Sequence, residues 1–237
     1  MTNKILYPVY DYGELNVTIS HRNNKLGNIP QFNTLPGNKP LKRKDGVKVT
    51  NIVGTCGRHC SDCFNDCYAV RFIVMHHNTC VRAYAANTLV MRRNPDKLRK
   101  AVKEYCEKNI VKYFRFHTSG ELESVNQLKL YCDICRDNPD VTFYIYTKAF
   151  DILLKYEDSL PDNLIVNLSE WHGNIDNLPL SLISKCNIFS YDDGESEFAA
   201  KQIHCPAVDK KGHETGITCA ECRRCMKRGN VTAVYAH

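Results

Sequence analysis

VKYFRFHTSGELESVNQLKLYCDICRDNPDVTFYIYT (residues 111–147) has the pattern of a strand, a helix and a second strand. Aromatic and β-branched residues dominate 111–117 and 141–147, as is typical of strands. Between them, apolar residues recur at helical spacing over 125–137, which predicts a helix. Two strands joined by a helix pair in parallel. We therefore expect the turn at 118–124 to lie at the carboxyl end of a strand, the edge at which α/β proteins bind ligands.

The same alternation extends along the rest of the chain. It predicts an α/β fold, specifically a partial (β/α)6 TIM-like barrel, with a flat doubly wound sheet as the alternative. We expect the barrel domain to span residues 1–204, of which 1–46 form an irregular N-terminal extension, and a cysteine-rich C-terminal tail to occupy 205–237. The further predicted elements are strands at 47–54, 163–169 and 186–191, helices at 70–77, 81–93, 95–109 and 149–158, and a strand or short helix at 198–204.

The chain has 13 cysteines among 237 residues, a high and odd number. It shows neither a signal peptide nor an apolar run long enough to span a membrane, so we expect a cytoplasmic protein without membrane contact. Structural disulfides are rare in that reducing compartment, and an odd number of cysteines cannot all pair. Metal binding or catalysis is therefore the favoured use of these thiols.

The net charge of +6 is mild, and its densest basic stretches are 39–48 and 223–228. We expect both stretches to be solvated surface, with nucleic-acid contact as the less favoured alternative.

A loop at 54–69 holds Cys56, Cys60, Cys63 and Cys67. Thiolates this close together suit zinc or an iron–sulfur cluster, and a single run of cysteines favours the cluster over paired zinc knuckles. The first three read C-x3-C-x2-C, and three thiolates on a [4Fe–4S] cube leave one iron open to a substrate. Cys67 can be a spare thiol, a fourth ligand that closes the cube, or a ligand in place of Cys56.

This loop resembles that of the radical S-adenosylmethionine (SAM) superfamily, which carries C-x3-C-x2-C after the first strand of a partial (β/α)6 barrel. Ser119, Gly120 and Glu121 stand where the superfamily has a Gly-Gly-Glu-like segment that meets the amino group of SAM. The resemblance implies reductive cleavage of SAM to a 5′-deoxyadenosyl radical, which abstracts hydrogen from an unknown substrate. It also implies a partner reductase of the flavodoxin or ferredoxin type.

Other residues at the predicted strand ends complete the candidate site. His117 ends its strand, and Glu121 follows in the turn, so both are candidate catalytic residues. A buried core histidine and a helix N-terminal acid are the respective alternatives. Lys148 and Ser169 stand at the carboxyl ends of the next two strands and join Ser119, Gly120 and Glu121 as candidate cofactor-binding residues.

A narrower resemblance covers most of the chain. A family of bacteriophage and prophage gene products shares an Asn-x-Lys-x-Gly segment (here 23–27), a loop ending in Cys67-Tyr68-Ala69, an Arg-x-His-x-Ser-Gly-acid turn (115–121) and Tyr146-Thr147-Lys148. This resemblance implies no particular reaction.

The tail holds a second group of cysteines, Cys205, Cys219, Cys222 and Cys225. The last three follow the C-x2-C-x2-C spacing of bacterial ferredoxins, which favours a complete, auxiliary [4Fe–4S] cluster over a structural zinc site. Two [4Fe–4S] clusters and SAM are thus the expected cofactors, and a radical SAM-type enzyme is the favoured function. The alternatives are an electron-transfer or redox-sensing protein with fully cysteine-ligated clusters, and a zinc-stabilised nucleic-acid-binding module.

Overall fold

The structure is a computed structural model that describes residues 5–6, 15–21, 23–57, 63–65, 67–76, 78–170, 174, 177–194 and 196–235. Within these residues eight strands form one sheet in the order β1-β2-β3-β4-β5-β6-β8-β7. The β1–β2 pair is antiparallel, and every other neighbouring pair is parallel. The strands are β1 (Ile19–Ser20), β2 (Gln31–Phe32), β3 (Tyr113–Phe116), β4 (Thr142–Thr147), β5 (Leu164–Glu170), β6 (Asn187–Asp192), β7 (Ile203–His204) and β8 (Val231–Tyr235).

This arrangement confirms the predicted α/β class. Among the described strands, β1 and β7 lie at opposite edges of the sheet, which is not closed into a barrel. The helices are α1 (Tyr68–His76), α2 (Asn78–Arg93), α3 (Pro95–Asn109), α4 (Val125–Asp137), α5 (Phe150–Leu154), α6 (Leu180–Ile183), α7 (Glu197–Ala200) and α8 (Cys219–Cys222).

The long helices begin where local chemistry predicts. The Asn94 side chain accepts a hydrogen bond from the Lys97 amide at the start of α3, and Pro95 takes the first helical position, where its missing N–H costs nothing. Ser124 caps α4 in the same way through the Gln127 amide. Cysteines 106, 132 and 135 are buried on the inner faces of these helices, as small apolar side chains would be.

Different segments of the chain pack on the two faces of the sheet. One face contributes Phe116, Phe143 and Val166 to the main core, which they share with residues of α3, α4 and α5. The other face contributes Tyr144 and Ile165 to a smaller cluster with Leu26, Ile29 and Met226. The cysteine-rich tail therefore packs on the sheet face opposite these helices, and we call this the tail face.

Four predicted elements differ from the structure. The helix expected at 149–158 is shorter, because α5 ends at Leu154. Residues 47–54, all described, form no strand; an isolated bridge pairs Lys48 with Lys42, and the buried Val49 and Ile52 side chains pack against the α1–α2 region. The first parallel strand is instead β2, so the N-terminal segment expected to be irregular holds two short strands. Residues 198–204 form the end of α7 and then β7, so both alternatives for that segment were right in part.

The tail also contributes β8, which lies between β6 and β7 in the sheet. No helix within the described ranges is both long and apolar enough to cross a membrane.

Candidate functional site

The first cysteine loop is anchored to the segment that follows β2. The Cys56 Sγ accepts a hydrogen bond from the Gly37 amide at 3.1 Å, and the Cys56 amide donates to the Gly37 carbonyl at 3.1 Å. Such an N–H···S contact stabilises a thiolate, the form in which cysteine binds metal. Cys63 and Cys67 lie further along the same loop, and Cys60 lies outside the described residues.

Cys67 is the N-cap of α1. Its Sγ accepts hydrogen bonds from the amides of Ala69 and Val70, the second and third residues of the helix. Burial raises the pKa of the Cys67 thiol, and the two amides oppose that shift. The neighbouring Cys63 thiol raises the pKa further, so the two sulfurs interact electrostatically. Cys67 thus has a structural role that requires no metal.

The Ser119-Gly120-Glu121 turn meets the cysteine loop directly. The Thr55 Oγ1 accepts a hydrogen bond from the Glu121 amide at 2.9 Å, and Thr55 is the residue before Cys56. Gly120 has φ +92°, and a Cβ there would lie 1.9 Å from the Thr34 Oγ1. Glycine is therefore required for both its conformation and the close approach of Thr34. The Ser119 Oγ donates to the Thr34 carbonyl at 3.0 Å, which fixes the other side of the turn.

The Glu121 carboxylate joins the ends of two strands. Its Oε1 accepts from the Leu122 amide at 2.8 Å, and its Oε2 accepts from the Lys148 amide at 2.9 Å. Glu121 is only 8% exposed, yet each carboxylate oxygen keeps a further lone pair for a ligand. The side chain therefore has a positioning role, linking the ends of β3 and β4, in addition to any contact with a cofactor.

His117 lies beneath the turn and is only 2% exposed. Its Nδ1 is 3.3 Å from the Ser119 carbonyl, and its Nε2 is 3.0 Å from the Gln127 Nε2 and 2.8 Å from the Tyr131 hydroxyl. A neutral ring that donates from Nδ1 and accepts at Nε2 satisfies these contacts. The pKa of His117 is lowered to about 4, first by burial and then by the charge of Arg115, while the contact with the Ser119 carbonyl opposes the shift. In this arrangement His117 supports the turn.

Lys148 and Ser169 lie side by side at the carboxyl ends of β4 and β5, because Thr147 is in register with Leu168. The charge of Lys148 also reaches the thiol of Cys67 and opposes the rise in its pKa. The fold therefore brings Cys67, the Glu121 turn and Lys148 to one edge of the sheet.

The second group of cysteines packs on the tail face. Cys219 and Cys222 lie in α8, which Thr218 and Glu221 close with a reciprocal capping box. The pKa of the Cys225 thiol is raised to about 11, first by burial and also by Cys205, Cys219 and Cys222, while the hydrogen bond with Tyr146 opposes the rise. These thiols therefore interact electrostatically, and a shared cation would relieve repulsion between their thiolate forms.

The floor beneath these cysteines is polar. The Tyr146 hydroxyl hydrogen-bonds with the Cys225 thiol, and Asn167 Nδ2 donates to the Cys225 carbonyl at 3.1 Å. The Arg115 guanidinium stacks 4.5 Å from the centre of the Tyr146 ring and opposes the rise in the pKa of Cys219. Asn167 was not among the residues predicted from the sequence, and Tyr146 was noted only within a motif. The signal for both is the period-two alternation that places 144, 146, 165 and 167 on one face.

The cysteines of each group lie in one region of the fold, but their described side chains do not converge on one metal position. Within the described residues, no three His, Cys, Asp or Glu side chains are placed to hold a metal ion. The donor chemistry nevertheless fits the expected groups, since several thiolates with amide or hydroxyl hydrogen bonds suit a soft metal or an iron–sulfur cluster.

Comparison with known proteins gives a family but no reaction. The family model described as Gene product 88 matches residues 18–228. The Gene 88 protein of Mycobacterium phage L5 is 26% identical, in a comparison that covers 81% of this chain and 96% of that protein. No solved structure matches the chain.

Proposed function

The chain belongs to the Gene product 88 family, and because that description specifies no chemistry, we propose a function from the candidate site: a radical SAM-type iron–sulfur enzyme. The hydrogen bond from the Glu121 amide to Thr55 is the observation that carries this proposal. It brings the cysteine loop into direct contact with a carboxylate-bearing turn at the carboxyl edge of a parallel sheet. A cluster on the loop and the amino group of SAM on the turn would then be neighbours.

In this proposal Cys56, Cys60 and Cys63 hold a [4Fe–4S] cluster with one open iron. Cys67 is the spare thiol because it caps α1. When bound, the reduced cluster supplies one electron to the sulfonium of SAM, so that an S–C bond breaks into methionine and a 5′-deoxyadenosyl radical.

The protein's own residues position SAM. The free lone pairs of the Glu121 carboxylate accept from the amino group of SAM, and the Ser119-Gly120 backbone, held by Thr34, limits where that group lies. Lys148 and Ser169 line the adjoining edge and contact the remaining polar groups of SAM. His117 keeps the turn in place and does not itself exchange protons with the ligand.

The tail cysteines hold the second [4Fe–4S] cluster. Cys205, Cys219, Cys222 and Cys225 supply four thiolates, which leave no iron open. The Tyr146 hydroxyl and the charge of Arg115 stabilise negative charge at this cluster, and both therefore favour its reduced form. A flavodoxin- or ferredoxin-type reductase in the cytoplasm would supply the electrons.

The finer fold assignment that accompanies this function is a partial (β/α)6 barrel. Strands β2 to β6 follow one another in the sheet in chain order, and α3, α4 and α5 share one core on one face. Right-handed crossovers in constant order place helices on one face, whereas a doubly wound sheet has helices on both. Both observations support the partial barrel.

A second candidate is an electron-transfer or redox-sensing protein without SAM chemistry. The electrostatic interaction between the Cys63 and Cys67 thiols favours it, because it brings Cys67 into the environment of a proposed cluster ligand. A first cluster that used all four cysteines would have no iron available to SAM.

The decisive experiment adds SAM to the reduced, anaerobically reconstituted protein. We expect about eight iron atoms per chain for two cubes, a change in the electron paramagnetic resonance spectrum on adding SAM, and release of 5′-deoxyadenosine. Glu121→Gln should lose both responses to SAM, while Glu104→Gln, on the exposed side of α3 and paired with Lys100, should keep them.

Iron content and thermal melting of both variants show whether the fold and clusters persist. An unchanged spectrum and no 5′-deoxyadenosine from the wild-type protein would favour the electron carrier. Zinc in place of iron would exclude both candidates and leave the zinc-stabilised module.

A further inference from the structure

A basic cavity lies beside the first cysteine loop, between the hairpin at 41–49 and α1. It has a volume of about 470 Å³ and is lined by Lys39, Pro40, Leu41, Lys42, Lys48, Phe64, Val70 and Val74. That volume is within the range of small-molecule sites, roughly 300–1,000 Å³. We propose that this cavity binds a nucleotide unit, either as a free nucleotide or as part of a single-stranded nucleic acid. The proposal goes beyond the function of the cysteine sites and does not depend on it.

The hairpin places two lysines directly opposite each other. Lys42 and Lys48 form an antiparallel bridge, and the Val49 amide donates to the Leu41 carbonyl at 2.8 Å next to it. Side chains of such a pair project from the same face of a hairpin, and like charges in that position destabilise it. An anion between the two ammonium groups would remove this cost, as a phosphate does at many basic sites.

The carboxylate of the hairpin does not neutralise this pair. Asp45 forms its ion pair with Arg43 at 3.2 Å, and it also accepts from the Val47 amide at the turn. Among the described residues, none that lines the cavity is acidic, and Lys39, Lys42 and Lys48 form no ion pair with a described carboxylate. Three positive charges therefore face the cavity together.

An aromatic ring and aliphatic side chains complete the cavity. The Lys39 ammonium lies 4.5 Å from the centre of the Phe64 ring, and Val70 and Val74 of α1 contribute aliphatic surface. A site for inorganic anions alone has no need of this apolar wall. Phosphates on Lys42 and Lys48 with a base against Phe64 use both parts, as in proteins that bind single strands by charge and stacking.

The test measures binding of fluorescein-labelled dT12 to the full chain by anisotropy at several salt concentrations. We expect Lys39→Gln/Lys42→Gln/Lys48→Gln to weaken binding at least 10-fold near 0.1 M salt. The slope of log affinity against log salt should become shallower by about 2, because each phosphate that a lysine neutralises contributes roughly 0.7 to it. The control is Lys100→Gln/Lys103→Gln/Lys108→Gln, which removes the same charge from the exposed side of α3. It should change affinity less than 2-fold.

The ring is tested by Phe64→Leu, which keeps apolar volume and removes stacking. We expect it to weaken binding about 5-fold or more, since stacking of a base on an aromatic ring contributes substantially to affinity. Competition with unlabelled ligands distinguishes a free nucleotide from a single strand. If dTMP competes as well as dT12 at equal nucleotide concentration, the site binds a free nucleotide. If dT12 binds much more tightly than dTMP, the site binds a strand.

Equal behaviour of the two lysine triple variants would overturn the proposal. Pyrophosphate that competes as well as dTMP, together with an unaffected Phe64→Leu variant, would also overturn it, because the site would then recognise charge alone. Neither result would bear on the SAM experiment.

Discussion

Gly120 occupies the most crowded point of the candidate site. Its φ of +92° is unfavourable for any residue with a Cβ, and such a Cβ would collide with the Thr34 and Thr55 hydroxyls. Gly194 has almost the same φ, +88°, but a Cβ there would have no atom within 4 Å. Substitution of Gly194 by alanine therefore measures the backbone strain alone, whereas the same substitution at Gly120 measures the backbone strain and the steric clash together.

We predict that Gly194→Ala lowers the free energy of unfolding by about 1–2 kcal/mol, whereas Gly120→Ala lowers it by roughly 3–6 kcal/mol because overpacking adds to the backbone strain. Urea denaturation of both variants measures the difference. Equal decreases in the free energy of unfolding would mean that Thr34 and Thr55 move aside at little energetic cost.

His117 predicts a pH dependence of stability. Its pKa is about 4 in the folded protein and about 6.5 when unfolded, so the unfolded chain binds more protons between these values. Stability should therefore be complete above pH 6.5 and fall by up to about 3 kcal/mol as the pH drops to 4. NMR titration of the His117 ring tests this directly, and a midpoint near 6.5 would contradict the burial of the ring.

At the scale of elements, α1 depends on a cysteine for its start. Serine caps helices well and alanine does not, so we predict that Cys67→Ser melts within about 1 °C of the wild-type protein. Cys67→Ala should cost about 1 kcal/mol, or about 2–4 °C in Tm for a chain of this size. Both variants should keep the wild-type iron content if Cys67 is spare. Loss of iron from both would instead identify Cys67 as a ligand.

The sequence predicts the long elements better than the short ones. Helices α3 and α4 and strand β4 have strong periodicity and clear caps, and their predicted positions were confirmed to within a residue or two. The strand predicted at 47–54 is wrong because Val49 and Ile52 are buried by packing against helices, and composition cannot distinguish that from strand pairing. Strand β2 pairs only two residues with β3, too few to produce a pattern.

The candidate site also has features that the sequence predicts and contacts that only the fold reveals. Linear spacing predicted both groups of cysteines, whereas the turn at 119–121 was predicted from its place after a strand and from the resemblance to the radical SAM superfamily. The contact of Glu121 with Lys148 and that of Tyr146 with Cys225 depend on strand register and on where the tail packs. Neither leaves a local signal in the sequence, because the partners are distant along the chain.

At the scale of the whole molecule, the tail covers one face of the sheet through its cysteine segment. Its apolar contribution is small, with Met226 as the buried side chain of that segment in the cluster with Tyr144 and Ile165. If metal ligation supplies the remaining stability, as it does in many small metal-bound segments, then removing the metal should release the tail before the sheet unfolds.

We predict that anaerobic chelation of the metal increases amide hydrogen exchange in 205–228 at least 10-fold while α4 and β4 change little. Hydrogen-exchange mass spectrometry of the loaded and stripped protein measures this, and α4 serves as the internal control. Unchanged exchange in the tail would show that packing alone holds it on the sheet.

The placement of β8 between β6 and β7 has a consequence for synthesis on the ribosome. Because β7 precedes β8 in the chain, it emerges before its only described neighbour in the sheet exists. All four tail cysteines, Cys205, Cys219, Cys222 and Cys225, are translated during this interval, before β8. The nascent chain thus contains all four thiols while that edge of the sheet is still unfinished, so a factor that loads the proposed cluster would have access to them at this stage.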